Sequence, residues 1–228
     1  TCFICTQALH WKTKEGLVRG CACRGTAGFA HVSCLAEQAK ILYAEAEENN
    51  LGLKVQNERW ARWDTCSLCE QQYHGVVYCA LGWACWKTSV GRPEADQFRG
   101  MAMNQLGNGL HEAERHADAL TVREADLATT RRIGASEEDM LAIQNNLANT
   151  YAELGHIEKA LSMERDVYYG RLQLHGEEYI WSLAAASNYA TSLRDLGRFE
   201  EAKALLRKTM PVARRVLGAE HRNALRLG

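Results

Sequence analysis

The sequence predicts a mainly α protein in two parts: a small metal-organised module, then a solenoid of helical hairpins. Three observations carry that reading. Seven cysteines and one histidine form four close pairs before residue 70. From about Pro93 onward the sequence repeats with a period near 42. Only two prolines interrupt a chain rich in alanine, leucine and glutamate, which favours helices.

The pairs read Cys2-x2-Cys5, Cys21-x-Cys23, His31-x2-Cys34 and Cys66-x2-Cys69. Eight soft or borderline ligands suit two tetrahedral zinc ions, with four ligands each and no open position. A closed site has no room for a reactive water, so such metals build structure, and function must come from the surface they shape. The nine cysteines are an odd number, and seven sit in the pattern. That favours metal in a reducing compartment, the cytoplasm first, over disulfides in a secreted protein. Cys79 and Cys85 stand outside the pattern and read as buried free thiols. His10 and His74 flank ligand pairs and are weaker ligand candidates.

Between Cys34 and Cys66 the spacing predicts an inserted helix over 33–50. Leu35, Ala39, Leu42 and Ala46 form its apolar side, and Glu45, Glu47 and Glu48 are solvated. A connecting helix follows over 73–88, around the apolar run from Gly75 to Trp86. A membrane span needs roughly 20 apolar residues, so this shorter run reads as a core helix, and no membrane segment is expected.

At 228 residues, two units are the better expectation. Hydrophobic content of 46% with 24% charged residues describes a soluble globular chain. A net charge of -1 gives no basic footprint, which argues against nucleic acid. No signal-peptide pattern is visible. The chain opens one residue before a ligand and without methionine, as an excerpt of a longer sequence would. No Ser-His-Asp constellation, Gly-rich phosphate loop or His-Glu-x2-His string occurs, which argues against a self-contained hydrolase or nucleotide enzyme.

In the repeating half, Asn146 to Tyr151 maps onto Asn188 to Leu193 at an offset of 42. Gly155 maps likewise onto Gly197, and Ala160 onto Ala202. A weaker copy precedes them through Gln105 to Leu120, and a fourth begins at Gly218-Ala219-Glu220-His221. Such a period marks a solenoid, whose units bury their apolar faces only by stacking. Phe199, Ala202, Leu206, Met210, Ala213 and Leu217 share one helical stripe. Gly155 and Gly197 suit left-handed helix ends. Ser136 with Asp139 predicts a capping box, and Pro93 a first helical position.

Leu147, Ala148, Tyr151 and Ala160 have the spacing of the tetratricopeptide repeat. With the Asn-Asn-Leu-Ala string at Asn145 to Ala148, they resemble its kinesin-light-chain type. The resemblance covers about 93–228 and departs at two places. A glycine is missing near Glu114, and a charged Glu164 stands where an aromatic often sits. It implies a right-handed superhelix of about three hairpins with a truncated fourth, and a groove for a protein or peptide substrate. Asn104, Asn108, Asn145, Asn149, Ser187, Thr191 and Arg194 would line that groove. Asparagine both donates to and accepts from a peptide backbone, so a ladder of them suits an extended ligand. Asn146 and Asn188 would brace the hairpins instead.

The strings Gly20-Cys21-Ala22-Cys23-Arg24-Gly25-Thr26 and His31-Val32-Ser33-Cys34-Leu35 resemble the RING-CH, or RING-variant, zinc finger. That resemblance covers residues 1–72, with 73–92 as connecting helix and linker before the repeats. It implies cross-brace ligation. One structural zinc would take Cys2, Cys5, His31 and Cys34, and the other Cys21, Cys23, Cys66 and Cys69. RING fingers act as E3 ubiquitin ligases without a nucleophile, by holding the ubiquitin-charged conjugating enzyme in a productive geometry. By resemblance, Ile4, Trp63 (or Trp60) and Leu68 would touch that enzyme, or else pack the finger's own core. Ser67 and Glu70 depart from the residues that active RINGs often carry there. The alternative is a non-catalytic interaction scaffold. A PHD-like reader of methyl-lysine is a third reading, with only Phe3, Trp11 and Phe29 available for its cage.

Overall fold

A computed structural model describes residues 1–218, so the fourth repeat copy expected after Gly218 lies outside the described residues. The described helices are α1 (Val32–Glu48), α2 (Leu53–Trp60), a 3₁₀ turn (Ala61–Trp63), α3 (Gly75–Ser89) and α4 (Gln97–Glu112). Then come α5 (His116–Arg132), α6 (Glu137–Glu153), α7 (Ile157–His175), α8 (Ile180–Asp195) and α9 (Phe199–Leu217). No named strand occurs among the described residues, only the isolated bridges Val18–Ala30 and Thr65–Gln72. The chain divides into two compact units, Thr1–Val122 and Arg123–Gly228.

In the first unit the finger's core is continuous with helices that follow it. Cys2, Cys21, Cys34 and Cys66 pack with Leu35 of α1 and with Val77, Tyr78 and Leu81 of α3. A second cluster joins Ala39 and Tyr43 of α1, Trp63, Cys85 of α3, and Phe98 and Ala102 of α4. The connecting helix is therefore not a spacer. It packs along α4 with the backbones nearly touching. A Cβ on Gly82 would lie 2.9 Å from the Gln105 carbonyl oxygen, and one on Gly109 would lie 2.9 Å from the Cys79 Cα. Cys79 and Cys85 are buried free thiols, as the apolar run implied.

Asp96 caps α4 by accepting from the Arg99 amide at 3.2 Å, so Pro93 sits in the preceding turn and not at the first helical position. A carboxylate beside the first turn satisfies a free amide and also suits the helix dipole, which Pro93 cannot do. Arg92 anchors this turn to α1 through both carboxylate oxygens of Glu47, at 2.7 and 3.0 Å.

The second unit shows how stacked hairpins satisfy one another. Ser136 caps α6 and accepts from the Asp139 amide, as the capping pattern predicted. Gly155 and Gly197 take left-handed φ of 79° and 71° at the ends of α6 and α8. Arg123 donates to the Asn146 carbonyl at 2.7 Å and to the Thr150 hydroxyl. One repeat later the equivalent residue is Glu164, only 4% exposed. Burial raises its pKa, the nearby Ser192, the equivalent of Thr150, partly offsets that, and its Oε2 is buried without a hydrogen-bond partner. The charged departure at this position thus leaves a buried carboxylate oxygen unsatisfied.

Candidate metal centres and docking face

The eight sequence-predicted ligands come together as two sets of four. Cys2, Cys5, His31 and Cys34 form one, and Cys21, Cys23, Cys66 and Cys69 the other, with the donor atoms of each set within 4.8 Å of one another. Three local devices build them. The Cys2–Cys5 and Cys66–Cys69 loops share one hydrogen-bond pattern: the amide two residues on points at the first sulfur, Ile4 to Cys2 at 3.4 Å and Leu68 to Cys66 at 3.5 Å. Each loop closes through a residue with left-handed backbone, Thr6 at φ 62° and Glu70 at φ 54°. The Cys34 end of the first set rides on the first turn of α1. His31, at the N-cap position, is committed to the cluster, and Glu15 instead accepts from the Ser33 amide at 2.8 Å.

His31 is fully buried. Its Nδ1 lies 3.4 Å from the Cys5 sulfur and 3.5 Å from the Cys34 sulfur. Its Nε2 lies 3.3 Å from the Ala8 carbonyl oxygen, which accepts from it when the proton is on Nε2. That tautomer leaves the Nδ1 lone pair facing the thiols, the outer-shell arrangement a metal-ligating histidine needs. The thiols themselves suit a soft dication. Burial, reinforced by Cys5 and Cys2, pushes Cys34 up to about 12, while the Gln71 amide draws Cys69 down to about 7. Crowded sulfurs cannot all ionise alone, and a divalent cation among them removes that conflict. Donor type, number and proximity therefore fit zinc. His10 and His74 belong to neither set. His10 Nδ1 accepts from the Thr13 amide at 3.1 Å, and the His74 amide donates to the Gly20 carbonyl.

The three expected enzyme contacts fare differently. Ile4 is half-buried and lines an open groove of about 400 Å³. Leu68 is 52% exposed at the tip of the second loop and is not part of that groove. Trp63 is a correction: it is completely buried against Tyr43, Cys85 and Phe98, and presents no surface to a partner. Trp60 also turns inward, packing edge-on to Tyr43 and Phe98. The groove beside Ile4 is walled instead by Trp11, Glu37, Ile41 and Leu42. Trp11 is 70% exposed and Ile41 54%. The sequence reading had Trp11 only as a cage aromatic and missed Ile41, although Ile41 lies off the stripe that buries α1, which was the available signal.

The expected peptide-groove residues also divide. In the first unit, the Asn108 amide donates to Asn104 at 2.8 Å. In the second, the Asn188 amide donates to both Asn145 and Asn149 at 3.2 Å, clamping α8 to α6. Asn145 and Asn149 thus hold α8, where the sequence had them facing a ligand, while the Asn104–Asn108 bond runs along α4 alone. Asn188 braces, as expected. Ser187, Thr191 and Arg194 do line an open groove, between α8 and α9.

A RING-variant domain model matches residues 2–71, and a tetratricopeptide repeat model matches residues 140–178 and 182–223. The weakest repeat copy, α4–α5, falls outside those ranges. Among solved structures, the kinesin light chain nearly identical TPR-like repeats of Podosopora anserina are 18% identical. They cover 87% of this chain and 83% of their own, with a TM-score of 0.55. BtubC (BKLC) from P. vanneervenii is 13% identical, covering 81% of this chain and 72% of its own, with a TM-score of 0.59. At such identities the likeness establishes fold alone. No curated protein matches the chain.

Proposed function

From a chain that carries a RING-variant domain joined to tetratricopeptide repeats, we propose an E3 ubiquitin ligase of the RING type. The finger would recruit a ubiquitin-conjugating enzyme and the repeats a protein substrate. The observation that carries the reading is the open apolar groove of Ile4, Trp11, Ile41 and Leu42, which abuts the Cys34 ligand. A groove held in shape by a buried ligand set can orient a partner, and orientation is the whole contribution a RING makes to ubiquitin transfer.

Two structural zinc ions belong to the proposal. Cys2, Cys5, His31 and Cys34 would hold one, and Cys21, Cys23, Cys66 and Cys69 the other. When bound, the metal supplies folding free energy, on the order of 10 kcal/mol per site. The chain's own residues do the rest: the Ala8 carbonyl fixes His31, and Glu15 fixes the start of α1. A reducing compartment, the cytoplasm, suits seven thiolate ligands.

Specific observations favour a second reading, a non-catalytic scaffold. Trp63 is unavailable as a contact, and Glu70 places an exposed carboxylate directly after the last ligand. Autoubiquitination with a panel of conjugating enzymes separates the two. Ubiquitin chains formed with at least one enzyme support the ligase. No transfer with any enzyme, from protein holding its full zinc, leaves the scaffold.

A further inference from the structure

The groove beside Ile4 holds a carboxylate, Glu37, and neither lysine nor arginine lines it. Its floor is apolar, from Ile4, Ile41 and Leu42, and Trp11 walls it with an indole that is 70% exposed. Helical spacing puts the charge there. Glu37 and Ile41 stand four residues apart on α1, on one face and away from the stripe that buries the helix.

Two later carboxylates of α1 are committed within the chain. Glu45 accepts from Arg59 at 2.6 Å, and Glu47 takes Arg92 through both oxygens at 2.7 and 3.0 Å. The ion pair of Glu37 is looser. It is with Lys40, at 3.6 Å, between side chains that are 60% and 53% exposed. An exposed pair one turn apart contributes well under 1 kcal/mol, so a partner's cation can take its place at little cost.

We propose that Trp11 and Glu37 together read a basic side chain on the partner that docks in this groove. The inference rests on the ligase reading, in which that partner is a ubiquitin-conjugating enzyme. Its docking loop carries an apolar anchor for Ile4, Ile41 and Leu42, and beside the anchor a lysine or arginine. The cation lies against the open face of the indole, whose quadrupole attracts it. Glu37 supplies the opposite charge, and Lys40 turns to solvent. Glu37 is then a specificity residue. It favours conjugating enzymes with a cation at that place and rejects those with a carboxylate there.

The test measures binding of a panel of conjugating enzymes to the full zinc-loaded chain by biolayer interferometry, at low and at high salt, beside ubiquitin transfer. For enzymes that bind the parent, Glu37→Lys should weaken binding about tenfold. Glu37→Gln should weaken it about threefold, and both losses should shrink at high salt. Lys40→Gln removes the competing cation from outside the groove and should tighten binding about twofold. Exposed lysines and arginines of the best-bound enzyme are then changed to glutamate one at a time. One such change should weaken binding to the parent and restore binding to the Glu37→Lys chain. Zinc content and thermal midpoint should stay at the parent's values, because both positions on α1 are exposed.

Undiminished binding by Glu37→Lys, with Trp11→Ala still abolishing it, overturns the proposal and leaves the ligase reading standing on apolar contact alone. A loss that no charge reversal on the enzyme restores, or that comes with loss of zinc, also overturns it. Neither binding nor transfer with any enzyme of the panel removes the ligase reading and this proposal together.

Discussion

A methyl group on Gly28 would sit 2.6 Å from the Cβ of Cys23 and 2.9 Å from its sulfur. The same glycine has a φ of +76°, where L side chains are strained. Gly28 is not a ligand, yet Cys23 and Cys21 of the second ligand set pack directly against it.

Gly28→Ala should therefore cost the second metal while sparing the first. Metal analysis should fall from about two zinc per chain towards one. Gly25→Ala is the control, since φ there is +62° but nothing lies within 4 Å of the added carbon. It should lose about 1 kcal/mol from backbone strain and keep both ions. Full zinc in Gly28→Ala would mean that the loop moves freely around Cys23.

Glu114 occupies, at φ 59°, the left-handed turn position that Gly155 and Gly197 fill in later hairpins. Its amide still donates to the His111 carbonyl at 3.0 Å, as Gly155 does to Ala152. The turn is kept despite the side chain. Glu114→Gly should raise stability by about 1 kcal/mol, read as a higher urea midpoint. A lower midpoint would show that the carboxylate contributes a contact larger than the strain.

Much of this was legible from spacing. Four ligand pairs specify which residues meet, because close pairs form loops of fixed geometry, and a period of 42 specifies helical hairpins. What was not legible depends on long-range packing. An aromatic ahead of Cys66 reads the same whether it faces a partner or the interior. Only the meeting of Tyr43, Phe98 and Trp63 turns it inward. Asparagines at steps of four read as a ladder for an extended ligand until α8 arrives to bond Asn145 and Asn149. Pro93 was read as a helix start because Asp96, three residues on, competes for that role with a side-chain cap that local pattern did not weigh.

The clamp makes Asn145 and Asn149 a matter of stability. Replacing both with alanine leaves the half-buried Asn188 amide without its two acceptors. A loss of about 1–3 kcal/mol is expected, seen as a lower melting temperature with zinc content unchanged. Unchanged stability together with weaker partner binding would return these residues to a ligand groove.

Asp126 gives the second unit a pH dependence. Burial, opposed in part by Arg123, raises its pKa from 3.8 to about 6. The folded state thus holds the proton more tightly than the unfolded one. The associated stability is complete below about pH 4 and is lost as pH rises through 6. Asp126→Asn should remove that loss, leaving the variant about 3 kcal/mol more stable than the parent at pH 7. The difference should shrink as pH falls towards 5. Comparing variant with parent cancels the acid sensitivity of the thiol clusters. A variant less stable than the parent at every pH would mean that the Arg123 interaction outweighs the cost of burial.

The docking face yields the sharpest contrast, because exposed and buried aromatics of one finger should fail differently. Trp11 and Ile41 are exposed, so Trp11→Ala and Ile41→Ala should each change stability by no more than about 0.5 kcal/mol. If the groove receives the conjugating enzyme, each should still reduce ubiquitin transfer tenfold or more, because exposed anchors at an interface centre commonly carry upwards of 1 kcal/mol. Trp63→Ala should also abolish transfer, but by another route. Emptying a fully buried indole site costs about 3–5 kcal/mol and breaks the cluster that ties α1 to α4. Zinc content and thermal unfolding separate the two causes. Trp11→Ala and Ile41→Ala should keep their metal and midpoint, whereas Trp63→Ala should lose stability together with activity. Full transfer by the Trp11→Ala, Ile41→Ala double variant would remove this groove from the ligase reading. The exposed Leu68 tip would then be the remaining candidate for the contact.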